Sequence, residues 1–297
     1  MALPRNRSHT QPLTVPRIPQ KPDCEHRYLK TVACLLVGGR TQHATTAMSF
    51  EIAASHAAHL TAIAPIDPFI PSPRSSFGRS MWPLVDDVDF AAMRDAARSA
   101  AEEFETRSRD NVLKVSRIIG GTDVRALAAE AAESDLVFVP ANVGVDGTWT
   151  EAWSEVAEFF VRQGHTAILR VSRRPLDVRN IVLVTSSTGR CSGLAHRYLE
   201  LDLWPEANIS LLPIGSYRPC VSQNVREQLD LLRTRGRQAS LLPPIDLDFE
   251  AADLQQIVSP FQVAVMGYLT HSAGWFDSVR CDPFEVVASC TPAVLLP

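Results

Sequence analysis

The chain has 297 residues, of which 45% are hydrophobic and 21% charged, an ordinary globular composition with enough length for about two domains. Its 29 Lys and Arg against 33 Asp and Glu give a net charge of -4, so no overall basic field is available to hold DNA or RNA. The apolar runs fall far short of the ~20 residues of a membrane-spanning helix, so neither nucleic acid nor a membrane is an expected partner.

The N-terminal segment, residues 1–27, is rich in proline, and its first acidic residue is Asp23. Because it has no apolar central region, it does not have the pattern of a secretory signal, and its composition predicts a disordered tail. The six cysteines include no C-x-x-C pair and lie far apart, which favours reduced thiols and a cytoplasmic location.

Strands and helices alternate along the rest of the first half, which predicts a parallel sheet with helices on both faces. Short apolar runs predict strands over 29–37, 60–64, 112–119, 136–139 and 167–171. Apolar residues at helical spacing predict helices over 43–59, 88–107, 123–133 and 149–163. The proline-rich stretch 65–83 is predicted to be a loop.

The same order of elements then repeats. Strands are predicted over 181–185, 209–214, 240–242, 262–266 and 293–296, and helices over 194–203, 225–235, 250–258 and 283–289. An internal duplication is the simplest account of the repetition. The sequence therefore predicts an α/β protein with two tandem open-sheet domains, over 28–174 and 175–297, each with a mainly parallel five-stranded sheet flanked by helices.

Three stretches carry a family resemblance: 28–67, which spans the first strand, loop and helix; 134–171, which spans the fourth strand to the fifth; and 261–297, which repeats that ending. The pattern resembles two fused universal stress protein domains, of the adenine nucleotide alpha hydrolase-like fold. The resemblance implies a cytoplasmic role in the stress response and ATP or AMP binding, as in some members. It also implies pairing through the last strand, either by self-association with another chain or with the other half of the same chain.

The glycine pattern that ATP-binding members carry after the fourth strand is degenerate here. That pattern is Gly, two residues, Gly, nine residues, then Gly followed by Ser or Thr, because a Cβ would intrude where backbone amides approach phosphates. The matching positions are Pro140, Val143 and Trp153 in the first half, with Ser154 retained, and Gly267, Thr270 and Arg280 followed by Cys281 in the second.

Two further features point the same way. The family's acidic residue at the end of the first strand falls at Gly38 in one half and near Ser186 in the other, and neither is a carboxylate. The chain has only 14 Gly against 21 Pro, whereas average usage is ~7% Gly and ~5% Pro. We therefore expect lost or weak ATP binding and no bound cofactor.

The sequence supports three hypotheses about the function of this protein. The first is a regulatory or structural module of the stress response with no enzymatic activity. The second is an adenine nucleotide-binding protein that takes ATP or AMP through the second-half loop, whose candidate residues are Gly267, Thr270, His271, Ser272 and Gly274, with Ser154 in the first half. The third is a hydrolase with Cys191 as nucleophile, since Gly189–Gly193 has the spacing of a nucleophile elbow and Asp246 or Asp248 and His271 follow in order.

His56 and His59 are predicted at i, i+3 on the first helix, a spacing suited to a metal. No third ligand is identifiable, so no metal is expected.

Overall fold

The structure is a computed structural model. It describes residues 29–36, 42–65, 95, 98–107, 115–121, 131, 133–140, 166–171, 177–186, 193–215, 219–245, 251–267 and 293–296. The first half contains β1 (Thr31–Leu35), α1 (Gln42–His56), β2 (His59–Pro65), α2 (98–107), β3 (Val115–Gly121), β4 (Leu136–Pro140) and β5 (Ala167–Val171). The second contains β6 (Asn180–Ser186), α3 (Leu194–Leu201), β7 (Asn208–Ile214), α4 (Pro219–Thr234), β8 (Ala239–Leu241), α5 (Ala251–Val258), β9 (Val263–Gly267) and β10 (Ala293–Leu296).

The ten strands in the described part of the chain form one sheet, in the order β3-β2-β1-β4-β5-β10-β9-β6-β7-β8. Within each half the pairings are parallel, and the halves meet where β5 and β10 pair antiparallel. Every residue of β4 and β5 is buried, as expected for apolar strands covered on both faces. The predicted α/β fold class with parallel sheets flanked by helices is confirmed.

The strands of the two halves occupy equivalent places. Each half has its third, second, first, fourth and fifth strands in that order from the outer edge to the junction. At the junction Leu169 lies opposite Val294, while Arg170 faces Ala293 and Ile168 faces Leu295. These positions are symmetric about the Leu169–Val294 pair, so the two halves are related by an approximate two-fold rotation.

In both halves, a side chain just before the fourth strand hydrogen-bonds the backbone at the start of the first strand. Asp135, just before β4, accepts hydrogen bonds at Oδ2 from the backbone N–H groups of Lys30 and Thr31, each at 2.8 Å. Gln262, just before β9, accepts at Oε1 from the N–H groups of Arg179 and Asn180 at the start of β6. A polar side chain in the same place therefore satisfies the amides at the amino end of the first strand in each half.

The apolar core on the α1 and α3 side of the sheet runs across both halves. One contiguous cluster includes Phe138 and Leu169 from the first half together with Leu183 and Val265 from the second. Helix α2 joins this core through Phe104, whose ring centroid lies 5.0 Å from that of Phe50 on α1.

The first helix ends earlier than the sequence predicts. It was expected to continue to residue 59, but α1 ends at His56 and Ala57 turns left-handed with φ 53°. His59 is therefore the first residue of β2 and does not share a helical face with His56. The predicted end was wrong because the left-handed residue that ends a helix is usually glycine, and here it is Ala57.

The fourth helix begins at Pro219, six residues before its predicted start. Proline suits the first helical position, since its missing N–H has no partner within the helix there. The predicted tail, the predicted helices over 149–163 and 283–289, and nearly all of that over 123–133 lie outside the described residues, and the domain boundaries stay predictions.

Candidate functional site

The sheet has two points where the strand order reverses direction, one in each half. Strand β1 lies between β2 and β4, and strand β6 lies between β7 and β9. In open α/β sheets, ligands bind in the crevice outside the carboxyl ends of the two strands at such a point. The candidate sites are therefore the carboxyl ends of β1 and β4 and those of β6 and β9.

The equivalent strands β4 and β9 end in different residues. Each has five residues, and the fifth is Pro140 in β4 but Gly267 in β9. Pro140 is buried opposite Val171 and has no N–H to offer a ligand, whereas Gly267 is half-buried opposite Leu296 and carries no Cβ. At the last residue of these strands the two switch points are thus chemically unequal, because Gly267 allows a ligand to approach the backbone closely and Pro140 does not.

In the second half, a buried polar residue, Thr185, lies near the carboxyl end of β6. Val184 pairs with Met266, so Thr185 and Gly267 follow on neighbouring strands. Thr185 is fully buried, and its Oγ1 accepts a hydrogen bond of 3.2 Å from Gln228 Nε2 on α4. The same nitrogen lies 3.3 Å from Asn224 Oδ1, one turn earlier.

In the first half, the corresponding end is closed by side chains of α1. Gln42, at the start of the helix, is buried, and its Nε2 donates to the carbonyl oxygen of Leu35 and to Thr46 Oγ1, each at 3.2 Å. These contacts satisfy the final carbonyl of β1 internally.

A charged cluster at the surface joins α1 to α2 at the same end of the sheet. His43 Nδ1 lies 2.7 Å from Glu103 Oε1, and Arg107 Nε lies 3.2 Å from the same oxygen. The Arg107–Glu103 pair lies within α2, so the His43–Glu103 contact is the one of the two that joins the helices. Because the His43 side chain is 67% exposed, water screens this contact and it holds the two helices together only weakly.

Cys34 lies on β1 beneath α1 and is completely buried. Burial raises the pKa of its thiol to about 12, because the thiolate loses its solvation there, while hydrogen bonds from Ser49 and Thr46 lower it by less. The side chain therefore serves as a small packing group and a poor nucleophile.

Most sequence-predicted site residues fall outside the described residues. This applies to Thr270, His271, Ser272, Gly274 and Ser154, to Val143, Trp153, Arg280, Cys281 and Gly38, and to Cys191 with Asp246 and Asp248. Of the nucleotide-loop candidates, Gly267 is described and ends β9. Of the nucleophile elbow, Gly193 is described and is the N-cap of α3.

His56 takes part in a contact between the halves. Its Nδ1 lies 3.0 Å from the carbonyl oxygen of Ile52, and its Nε2 lies 3.3 Å from that of Asp202 after α3.

Among the residues that the structure describes, no group of three or more His, Cys, Asp and Glu is placed to hold a metal ion. Nor does any helix in this part of the chain have the length and apolar character needed to cross a membrane.

The sequence patterns did not identify Thr185, Asn224 and Gln228 as candidate site residues. The signal for Gln228 was present, since it falls among Val225, Leu229 and Leu232 at the spacing of a core-facing helical stripe. Asn224 could not be placed with it, because the helix was predicted to start at residue 225.

No protein-family model matches the sequence, and no curated protein matches it. Solved structures do match. A universal stress protein from Archaeoglobus fulgidus DSM 4304 aligns with a TM-score of 0.53 at 9% identity, over 89% of this chain and 95% of that one. A provisionally assigned universal stress protein from Pseudomonas aeruginosa UCBPP-PA14 aligns with a TM-score of 0.56 at 12% identity, over 91% and 94%. A functionally unknown protein from Pseudomonas aeruginosa PAO1 also aligns at 0.56 and 12%, over 91% and 93%. This chain therefore has the fold found in universal stress proteins.

Proposed function

We propose that this protein is a cytoplasmic, universal stress protein-like regulatory or structural module of the stress response, with lost or weak ATP binding. The fold it shares with universal stress proteins supports the module. Pro140 at the end of β4 supports the loss, since phosphate loops depend on backbone amides that proline cannot supply.

The single observation that carries the proposal is Pro140, buried at the carboxyl end of β4. A nucleotide phosphate at the first switch point would meet a pyrrolidine ring where a glycine amide is needed. In addition, Gln42 already occupies the end of β1 by bonding the carbonyl of Leu35. The first half is therefore the poorer of the two halves for a nucleotide.

Gly267 favours one alternative, in which the second half binds ATP or AMP. Its position after Met266, next to the end of β6, is the place where a phosphate-binding loop would begin. The candidates Thr270, His271, Ser272 and Gly274 follow it in sequence.

A thermal-shift titration with ATP and with AMP separates the two functions. We expect no change in Tm at micromolar nucleotide, because a ligand that does not bind the native state cannot stabilise it. A Tm that rises and saturates at micromolar ATP or AMP would overturn the leading proposal.

If the titration detects nucleotide binding, the matched variants Gly267→Val and Pro140→Val show which half of the chain holds the nucleotide site. They place the same side chain at equivalent positions in the two halves. Loss of stabilisation in Gly267→Val alone indicates binding in the second half, and loss in Pro140→Val alone indicates the first half.

The antiparallel pairing of β5 with β10 supports the other half of the same chain as the partner of the last strand. On this proposal the chain needs no second copy to cover that edge. Light scattering coupled to size exclusion should give a mass near 32.7 kDa, and a dimer of twice that mass contradicts this proposal.

A further inference from the structure

Two side-chain amides on α4, those of the buried Gln228 and the half-buried Asn224, lie beside β6 with hydrogen-bonding groups left over. Gln228 is only 2% exposed, and both hydrogens of its Nε2 are used, by Thr185 Oγ1 and by Asn224 Oδ1. The atoms Gln228 Oε1 and Asn224 Nδ2 are also buried, and neither has a hydrogen-bond partner among the residues that the structure describes. Native proteins rarely leave such groups unsatisfied.

Exchanging the oxygen and nitrogen positions of the amides does not remove this imbalance. If both amides are turned over, Gln228 Oε1 accepts from Thr185 and from Asn224, and the remaining atoms are Gln228 Nε2 and Asn224 Oδ1. If only one amide is turned over, Gln228 and Asn224 face each other with two oxygens or with two NH₂ groups, and the hydrogen bond between them is lost. In each consistent arrangement, one donor and one acceptor are left without a partner.

The fold itself does not require this network. Thr185 is the sixth residue counted from the start of β6. The sixth residue counted from the start of β1 is Leu36, just after the strand, and it is buried in the apolar cluster. In the first half an apolar side chain therefore takes the position of Thr185, and the buried polar contacts beside it come from α1, where Gln42 bonds the carbonyl of Leu35 and Thr46. The network also lies at the second switch point, because Thr185 is on β6, the strand that pairs with β9 and its last residue Gly267.

We propose that Asn224 and Gln228 form a binding site for a neutral group that carries a hydrogen-bond donor and an acceptor side by side, as an amide does. An anion would satisfy only the Asn224 donor, and a cation would satisfy only the Gln228 acceptor. A neutral amide completes both bonds without bringing a charge into a buried position. This site does not depend on nucleotide binding by the loop after Gly267.

The test is an NMR titration of the full chain labelled with ¹⁵N at the side-chain amides of Asn and Gln, with acetamide as the probe. We expect acetamide to shift the NH₂ signals of Asn224 and Gln228 along a saturating curve. Acetate, which only accepts, and methylammonium, which only donates, should leave them unmoved. Equal shifts with all three probes, or a long-lived water signal at these groups with no shift by acetamide, would overturn the proposal.

Variants assign the signals and test the site. Asn224→Leu and Gln228→Met should abolish the acetamide response of the remaining amide. Gln223→Met is the matched control, because Gln223 lies on the same helix but is exposed and bonds Glu227, and it should keep the full response. If Gln228→Met does not fold, Asn224→Leu and the probe comparison on the natural chain still decide the outcome, and an unchanged response in Asn224→Leu refutes the site.

Discussion

Cys34 shows how burial alone sets the chemistry of a single residue. With a thiol pKa of about 12, only about 1 molecule in 10,000 carries a thiolate at pH 8. We expect iodoacetamide at pH 8 to leave Cys34 unmodified in the native protein and to label it fully in urea, as measured by peptide mass mapping. Labelling at similar rates in both states would contradict the burial of this side chain.

The same shift has a consequence for stability. Because the folded state holds the thiol proton to about 12 while the reference thiol loses it near 9.0, unfolding releases a proton between these pH values. The free energy of unfolding should therefore fall as pH rises above about 9. Cys34→Ala should make that fall shallower in urea titrations, and an unchanged slope would exclude Cys34 as its source.

At the scale of an element, the ends of α1 and α4 use the same turn with different residues. Ala58 N–H bonds the carbonyl of Ala53 and Ala57 N–H bonds that of Ala54, while Arg237 and Gly236 make the equivalent bonds to Leu232 and Arg233. This pattern needs a left-handed residue, which is Gly236 at φ 78° after α4 but Ala57 at φ 53° after α1.

Reciprocal substitutions test that turn. Ala57→Gly should raise the free energy of unfolding by about 1 kcal/mol, because glycine adopts the left-handed conformation without strain. Gly236→Ala should lower it by a similar amount through the backbone alone, since an added Cβ meets no atom within 4 Å. Urea unfolding measures both, and a stability loss in Ala57→Gly would contradict the turn.

At the scale of the whole molecule, the junction of β5 and β10 makes one sheet and one continuous core from the two halves. We expect a single cooperative unfolding transition, because neither half can open without exposing apolar surface of the other. Leu60→Ala in the first half and Leu211→Ala in the second both empty fully buried positions. Each should cost about 2–5 kcal/mol and move the same transition.

Hydrogen exchange read by mass spectrometry on peptides from β2 and β7 checks this expectation. Both peptides should lose protection together in each variant. Two separate transitions, each sensitive to one variant only, would show that the halves are independent domains.

The strands were the most predictable elements. The apolar runs that became β4, β5, β6 and β9 were located within a residue or two, because a strand covered on both faces must be apolar throughout. Helix ends were less predictable. The end of α1 is determined by an alanine in a conformation that alanine seldom adopts, and the start of α4 by a proline whose role depends on the helix that follows it.

The sequence by itself determined the alternation of strands and helices, its repetition, and the contrast between Pro140 and Gly267, because these depend on local apolar periodicity and on backbone chemistry carried by single residues. Only the tertiary structure decided that the halves share one sheet through β5 and β10, that Asp135 and Gln262 fasten equivalent strands, and that Asn224 and Gln228 meet Thr185. Those contacts join residues far apart in the chain. Their partners are chosen by how the helices pack on the sheet, which local sequence patterns do not specify.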